Sequence, residues 1–490
     1  MNYKMVQHLL GQVLLIYAGL MLLPMICGLC YHENILCFLI PALLTAALGL
    51  VMYLLPVKDR SIYAREGYVM VGLSWILLSL IGAVPFVISG DIPNYVRAVF
   101  ETASGLSTTG ASVVNDVEAM SRAGLFWRCF THWIGGMGVL VFMMAVLPKD
   151  SEHSMHIMRA EVPGPEVGKL VPRLRDTSRI LYFIYTALTV IETVFLLCGG
   201  MNFYEALLHA FATAGTGGFS TRNAGLAAFD SAYIDMVISV FLTLFSINFN
   251  LYYLILINRI KDALRSEELH VFLILLLVSI GIMTAGNLPQ YHNLLTSLRY
   301  SFLTTICTVS TAGFTSQDYT LWPHYVQVFI VGLMFIGGCA GSTGGGLKLS
   351  RVMLLIKGAK ADLLHVLRPR SVTRVKMDGK VVEDSTVRAV YAFFTLYMLI
   401  LMMTAFLISF DGYDFSTCFT AALSCISNVG PGLSAVGPSG NYSIFSSFSL
   451  IIMTFTMLLG RLEIYALLIL TFPSTWKKRR ADRLLNRDEI

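Results

Sequence analysis

Long apolar segments recur along nearly the whole chain and are separated by short basic loops. Segments such as Val271–Met283, Val387–Phe410 and Phe445–Phe472 approach or exceed the roughly 20 residues that a helix needs to cross a bilayer. Of the 490 residues, 56% are hydrophobic and 13% are charged, whereas soluble domains average about 45–50% apolar and about 25% charged residues. These features exclude a soluble globular protein. They predict an all-α membrane protein, because a helix satisfies its own backbone polar groups within lipid.

The order of the apolar segments predicts about ten transmembrane helices. They lie near residues 9–30, 35–55, 67–89, 126–147, 179–200, 232–258, 269–286, 324–357, 386–410 and 444–472. The first two form an extra N-terminal two-helix hairpin. The other eight form four pairs, and each pair encloses a shorter apolar segment rich in Gly, Ser and Thr.

Most of the 35 Lys and Arg residues fall on one side of these spans. They crowd the segments 56–66, 148–179, 258–268, 357–388 and 473–490. The positive-inside rule therefore predicts a multi-pass protein with both termini in the cytoplasm. No nucleic-acid partner is expected, because each basic stretch is a short loop whose attraction to anionic lipid explains its charge.

The four shorter segments align with one another without gaps. They are Tyr95–Gly110, Phe203–Gly218, Leu298–Gly313 and Phe415–Gly430. In each segment apolar residues recur every four positions, which predicts a short helix, and Thr or Asn stands two residues before the final glycine. Each unit is therefore predicted as an outer helix, a half-length re-entrant pore helix, a glycine turn and an inner helix, repeated four times in tandem around one pore.

The four glycine turns are the predicted ion-binding residues. Backbone that leaves a helix at membrane depth must be buried in protein or line water, and glycine lets consecutive carbonyls point inward. Neutral carbonyls suit a monovalent cation such as potassium, whereas a divalent ion normally recruits carboxylates, which the turns lack. The predicted potassium-binding filter comprises Thr108, Thr109, Gly110, Thr216, Gly217, Gly218, Thr311, Ala312, Gly313, Asn428, Val429 and Gly430.

A glycine-rich stretch interrupts the predicted span 324–357 and is the predicted gate. So many glycines disfavour a helix, since each costs about 1 kcal/mol relative to Ala. Arg461 lies in the last apolar run, where an isolated charge costs about 2.5–3.5 kcal/mol, so we expect it to face the pore and to donate hydrogen bonds to loop carbonyls. The predicted gate residues are Gly337, Gly338, Gly341, Ser342, Thr343, Gly344, Gly345, Gly346 and Arg461.

A few polar residues lie near the predicted turns without forming a catalytic constellation. Glu101, Glu205 and His209 fall on the pore helices, where we expect structural hydrogen bonds. Glu192 falls within a span and is a functional candidate for that reason. An enzyme is therefore not expected, and no metal site other than potassium at the filter is predicted.

The residues of the turns and of the loop resemble the Trk/Ktr/HKT superfamily of potassium transporters, and more closely its bacterial TrkH-type branch. The resemblance rests on the four turns, on Gly337–Lys348 and on Leu459–Tyr465, and the extra N-terminal hairpin is typical of that branch. It implies potassium uptake across the bacterial cytoplasmic (inner) membrane and a homodimer with one pore per subunit. It also implies a cytosolic nucleotide-binding regulatory ring of the TrkA type, so that nucleotide acts only through this partner, with no covalent cofactor.

The repeats divide the chain into five predicted units. They are an N-terminal hairpin at 1–56, a first pore repeat at 57–150, a second at 151–262, a third at 263–370 with a gating loop at 337–347, and a fourth at 371–490 with a cytoplasmic tail.

Two functions remain open from the sequence. The first is a gated, channel-like potassium pathway, and the second is a sodium- or proton-coupled potassium symporter. Coupling usually needs a second ion site or a titratable relay, which the turns lack, so the sequence favours the channel.

Overall fold

A computed structural model of the chain describes residues 1–57, 63–138, 174–370 and 374–477. The first unit contains α1 (Tyr3–Leu20), α2 (Leu22–Cys30) and α3 (Leu36–Leu54). Helices α1 and α3 pack closely because glycine faces glycine: a methyl group on Gly11 would lie 2.7 Å from the carbonyl oxygen of Gly49. Such small-residue contacts drive helix association in lipid, where the hydrophobic effect contributes little.

Sixteen further helices follow in the described part of the chain, and their grouping into repeats of outer, short and inner helices stays a prediction. They are α4 (Ala64–Ser89), α5 (Tyr95–Leu106), α6 (Arg122–Gly136), α7 (Leu174–Cys198), α8 (Phe203–Ala214), α9 (Ala232–Ser246), α10 (Phe249–Leu256), α11 (Ile260–Ala263), α12 (Glu267–Tyr291), α13 (Leu294–Val309), α14 (His324–Ile336), α15 (Leu349–Leu367), α16 (Asp384–Ile408), α17 (Phe415–Ser427), α18 (Ser447–Arg461) and α19 (Tyr465–Thr471). Between α15 and α16, β1 (Lys376–Met377) and β2 (Lys380–Val381) form an antiparallel hairpin in which Lys376 pairs with Val381.

The four short helices α5, α8, α13 and α17 begin in the same way. The side chains of Asn94, Asn202, Asn293 and Asp414 each accept a hydrogen bond from a backbone N–H in the first turn. This capping satisfies donors that a helix start leaves unpaired. The sequence therefore specifies where each short helix begins, and all four are largely buried among the longer helices.

Six helices of the described residues are long and apolar enough to cross a membrane, or seven if the bent pair α9 and α10 counts as one span. The predicted span 232–258 is not straight, since α9 and α10 meet at 85°. The predicted span 126–147 begins as α6, and its residues 139–147 lie outside the described residues. The total of about ten spans stays a prediction, as do the unit boundaries, of which 150–151 and 370–371 also touch undescribed residues.

The last predicted span, 444–472, requires a correction. Arg461 is not inside a continuous helix: it is the last residue of α18, and the chain is irregular until α19 begins at Tyr465. Glu463 and Ile464 adopt positive φ angles of 53° and 66° in this break. The break places the Arg461 guanidinium at a helix end, where it can reach other elements.

Candidate functional site

The four glycine turns share one unusual backbone conformation. The residue two positions before each glycine lies in the left-handed region, with φ of 56° at Thr108, 53° at Thr216, 62° at Thr311 and 57° at Asn428. Three of these residues are β-branched threonines, which rarely adopt such angles. Backbone strain of this kind persists only where the surroundings impose it, and it concentrates at functional sites.

The turns meet one another in cyclic order. A methyl group added to Gly110 would lie 1.9 Å from the carbonyl oxygen of Gly217, and one added to Gly218 would lie 1.8 Å from that of Ala312. The same construction places Gly313 against Val429 at 2.2 Å and Gly430 against Thr109 at 2.7 Å. Each glycine thus abuts the middle residue of the next turn, and all four glycines line one outer cavity of about 200 Å³.

The middle residue of each turn directs its N–H away from its neighbours in the ring. These N–H groups donate back to the preceding short helix: Thr109 to Ser104 O at 2.9 Å, Gly217 to Ala212 O at 2.8 Å, Ala312 to Cys307 O at 2.8 Å and Val429 to Ser424 O at 3.0 Å. Within the described part of the chain, no group donates a hydrogen bond to the carbonyls of these four middle residues. The ring therefore offers acceptor oxygens to a cation.

The residues at the inner end of the turns differ in their contacts. Thr216 Oγ1 donates to Gly215 O at 2.7 Å, and Thr311 Oγ1 accepts the Gly345 N–H at 2.6 Å. Asn428 Nδ2 donates to Thr109 Oγ1 and to Met457 O, both at 2.9 Å. The fourth turn is therefore tied to the first turn and to α18 by an amide.

The chain from Gly337 to Lys348 forms the predicted irregular loop between α14 and α15. It is docked beneath the turns: Gly346 N–H donates to Ser427 O at 2.8 Å, next to the fourth turn, and Cys339 N–H donates to Ser246 O at 3.0 Å, at the end of α9. Together with the Gly345 contact to Thr311, these bonds hold the loop against three of the four repeats.

Arg461 joins this loop to the first repeat. Its side chain is 9% exposed, and Nη1 donates to Thr343 O in the loop at 2.7 Å, as expected from the sequence. Its Nη2 donates to Gly135 O at 2.5 Å and to Gly136 O at 2.7 Å. These carbonyls end α6, where a cation is favoured by the helix dipole.

Two charged residues at the loop were missed from the sequence. Lys348 is only 2% exposed, and its Nζ donates to Ser342 O and Gly344 O inside the loop. Glu268, at the start of α12, accepts the N–H groups of Ala340 at 2.8 Å and of Ser350 at 3.1 Å. The sequence signal for Lys348 is its position two residues after the last glycine of an interrupted apolar span. No local sequence feature indicates that Glu268 contacts the loop.

The predicted structural hydrogen bonds around the turns are present. Glu101 pairs with Arg128 at 2.6 Å, Glu205 pairs with Arg222 at 2.7 Å, and His209 Nε2 contacts Ser220 Oγ at 3.0 Å.

Two further buried side chains lie close to the second repeat. His132, which the sequence analysis did not assign, stacks on Phe219 with ring centroids 4.1 Å apart, and its Nδ1 lies 2.8 Å from Gly105 O. Glu192 is fully buried in α7.

Comparisons with known proteins agree along nearly the whole chain. The family model described as TrkH, cation transport protein, matches residues 37–478. The Trk system potassium uptake protein TrkH of Salmonella typhimurium is 33% identical over 488 residues, covering 98% of this chain and 100% of that protein. The Trk system potassium uptake protein TrkG of Escherichia coli K12 is also 33% identical, covering 97% and 99%.

A solved structure has the same fold. The crystal structure of the potassium transporter TrkH from Vibrio parahaemolyticus superimposes with a TM-score of 0.88 at 29% identity, covering 97% of this chain and 100% of that one. The relatives bear the names of transport proteins rather than enzymes.

Proposed function

Because the chain belongs to the TrkH family of cation transport proteins, multi-pass proteins of the bacterial inner membrane, we propose that it takes up potassium through the ring of four glycine turns. The observation that carries this proposal is the cyclic contact of the turns: their middle carbonyls accept no hydrogen bond within the described residues, and their four glycines line one cavity. Such carbonyls replace the hydration shell of a weakly hydrated monovalent cation.

Four tandem helix–pore-helix–helix repeats around one pore follow from this arrangement. The ring needs one turn from each repeat, so a single chain completes it. The filter residues are those of the four turns, Thr108–Gly110, Thr216–Gly218, Thr311–Gly313 and Asn428–Gly430. The tight contacts at the last glycine of each turn support this assignment. A side chain at any of these four positions would collide with a carbonyl of the next turn.

The loop Gly337–Lys348 is the gate of this pathway in our proposal. Its bonds to Thr311 and Ser427 support a position directly beneath the filter, where it obstructs ion flow. Arg461 and Lys348 hold it by donating to its carbonyls and add positive charge below the filter. Opening requires these bonds to break.

The orientation and the partners also belong to the proposal. The basic loops support cytoplasmic termini through the positive-inside rule. A homodimer with one pore per subunit and a cytosolic nucleotide-binding ring of the TrkA type rest on the family resemblance alone. Nucleotide then regulates the loop only through that ring.

Flux from purified protein in liposomes tests the proposal. We expect potassium flux to exceed sodium flux, and Gly110→Ser to reduce that preference because its side chain would collide with Gly217 O. Gly332→Ser is the matched control, since no atom lies within 4 Å of a methyl group there. Retained potassium selectivity in Gly110→Ser, or equal loss in Gly332→Ser, contradicts the assigned role of the first turn.

A further inference from the structure

A buried ion pair lies directly behind the first and second turns. Glu101 on α5 accepts from Arg128 Nε on α6 at 2.6 Å, and the two side chains are 0% and 3% exposed. Removing two charges from water is expensive, and a buried pair of this kind is weak evidence for stability alone. Stability alone therefore does not account for the Glu101–Arg128 pair, and its other contacts point to the ion pathway.

The other contacts of the pair reach the segments that follow the turns. Ser112 Oγ and Val113 N–H both donate to the Glu101 carboxylate at 2.9 Å, just after the first turn. Arg128 Nη1 donates to Ser220 O at 3.1 Å, and the guanidinium lies 3.5 Å from the centroid of the Phe219 ring, just after the second turn. One pair thus fixes the outer segments of two neighbouring repeats.

One member of the pair, Arg128, also lines the outer cavity. The two charged residues among the described lining of this cavity are both arginines, Arg128 and Arg222, and each pairs with a pore-helix glutamate. Arg222 is 42% exposed, so solvent screens it. Arg128 is buried, and its field in a low-dielectric surrounding is cancelled chiefly by Glu101.

We propose that Glu101 and Arg128 set the apparent potassium affinity of the outer cavity: Arg128 positions the segments after the first two turns, and Glu101 neutralises its charge for the arriving cation. This inference rests on the proposed function. Because the two charges are opposite, removing one or the other should shift the KM for potassium in opposite directions. If the pair were purely structural, both removals would shift the KM in the same direction.

The test measures potassium flux against potassium concentration in liposomes for the full chain. Glu101→Gln leaves an unpaired buried cation at the cavity and should raise KM for potassium about tenfold. Arg128→Gln leaves the Glu101 carboxylate unpaired behind the cavity lining and should lower KM, and it should reduce the maximal rate because the hold on Ser220 is lost. The double variant should return KM to within about threefold of the unmodified protein.

Glu205→Gln is the matched comparison, and its KM shift should be smaller because Arg222 is partly exposed. A KM shift in the same direction in Glu101→Gln and Arg128→Gln overturns the proposal, as does an equal shift in Glu205→Gln. If either neutral variant fails to fold, Glu101→Asp and Arg128→Lys keep the charges, and a tenfold change of KM in them contradicts charge control. Absence of potassium flux in the unmodified protein would instead reject the proposed function.

Discussion

At the scale of single residues, Asn428 distinguishes the fourth turn from the other three. It adopts the left-handed conformation with φ 57°, which asparagine tolerates better than threonine. Its amide nitrogen donates to Thr109 Oγ1 and to Met457 O. The side chain therefore supplies two amide N–H donors where threonine has one hydroxyl, and it ties the fourth turn to the first turn and to α18.

Replacing Asn428 by Asp tests this role. The substitution removes both donated bonds and places an acceptor-only carboxylate beside Met457 O in a buried site, so we expect a loss of about 1–3 kcal/mol in stability and weaker potassium selectivity. Thermal unfolding in detergent and cation flux in liposomes measure the two effects. Asn34→Asp is the control, because its Oδ1 accepts from Leu36 N–H and an aspartate preserves that bond. An unchanged melting temperature for Asn428→Asp would contradict the role.

At the scale of elements, the loop between α14 and α15 depends on helix ends from other repeats. It contacts the end of α9 through Ser246 O and, through Arg461, shares a cation with the end of α6. These helix ends carry partial negative charge, which favours the guanidinium. The proposed gate is thus held by a small number of hydrogen bonds to segments that are far apart in the sequence.

Removing Arg461 should open this gate. Arg461→Ala eliminates the bond to Thr343 O and the positive barrier, so we expect potassium flux to rise several-fold at equal protein level, with Arg461→Lys intermediate. Lys360→Ala, on an exposed position of α15, is the control and should leave the flux unchanged. Flux that stays equal or falls in Arg461→Ala rejects the gate.

At the scale of the whole molecule, the four glycine turns share one backbone conformation but have unequal surroundings. The outer cavity is lined mainly by glycine, small polar residues and two arginines, with no carboxylate among its described lining residues. At its rim, Asn223 Nδ2 donates to Asp116 Oδ1 at 2.8 Å, which holds the pKa of that carboxyl below its usual value. Asp116 therefore keeps its negative charge near neutral pH, and the twelve turn residues themselves include no titratable side chain.

This arrangement predicts transport driven by the potassium gradient alone. In liposomes with a fixed potassium gradient, flux should be the same with and without an added sodium or proton gradient. Valinomycin-treated liposomes without protein provide the reference for a passive potassium pathway. A flux that follows the sodium or proton gradient would favour the symporter, the alternative that the sequence left open.

The sequence by itself determined the local parts of this protein. Capping residues specify where each pore helix begins, and a four-residue apolar period followed by Thr or Asn two positions before glycine specifies the turns. The run of glycines after Ile336 likewise determined that a helix must stop there. These features are readable because the residues that cause them lie within about one helical turn of one another.

Only the tertiary structure decided which turns meet and which charges pair. Arg128 and Ser220 are 92 residues apart in sequence, and Arg461 reaches Gly135 across 326 residues. The 85° bend between α9 and α10 and the helix end at Arg461 likewise depend on packing against distant segments. The local periodicity of the sequence cannot predict such contacts. They stabilise the protein only after several helices, distant in sequence, have packed against one another.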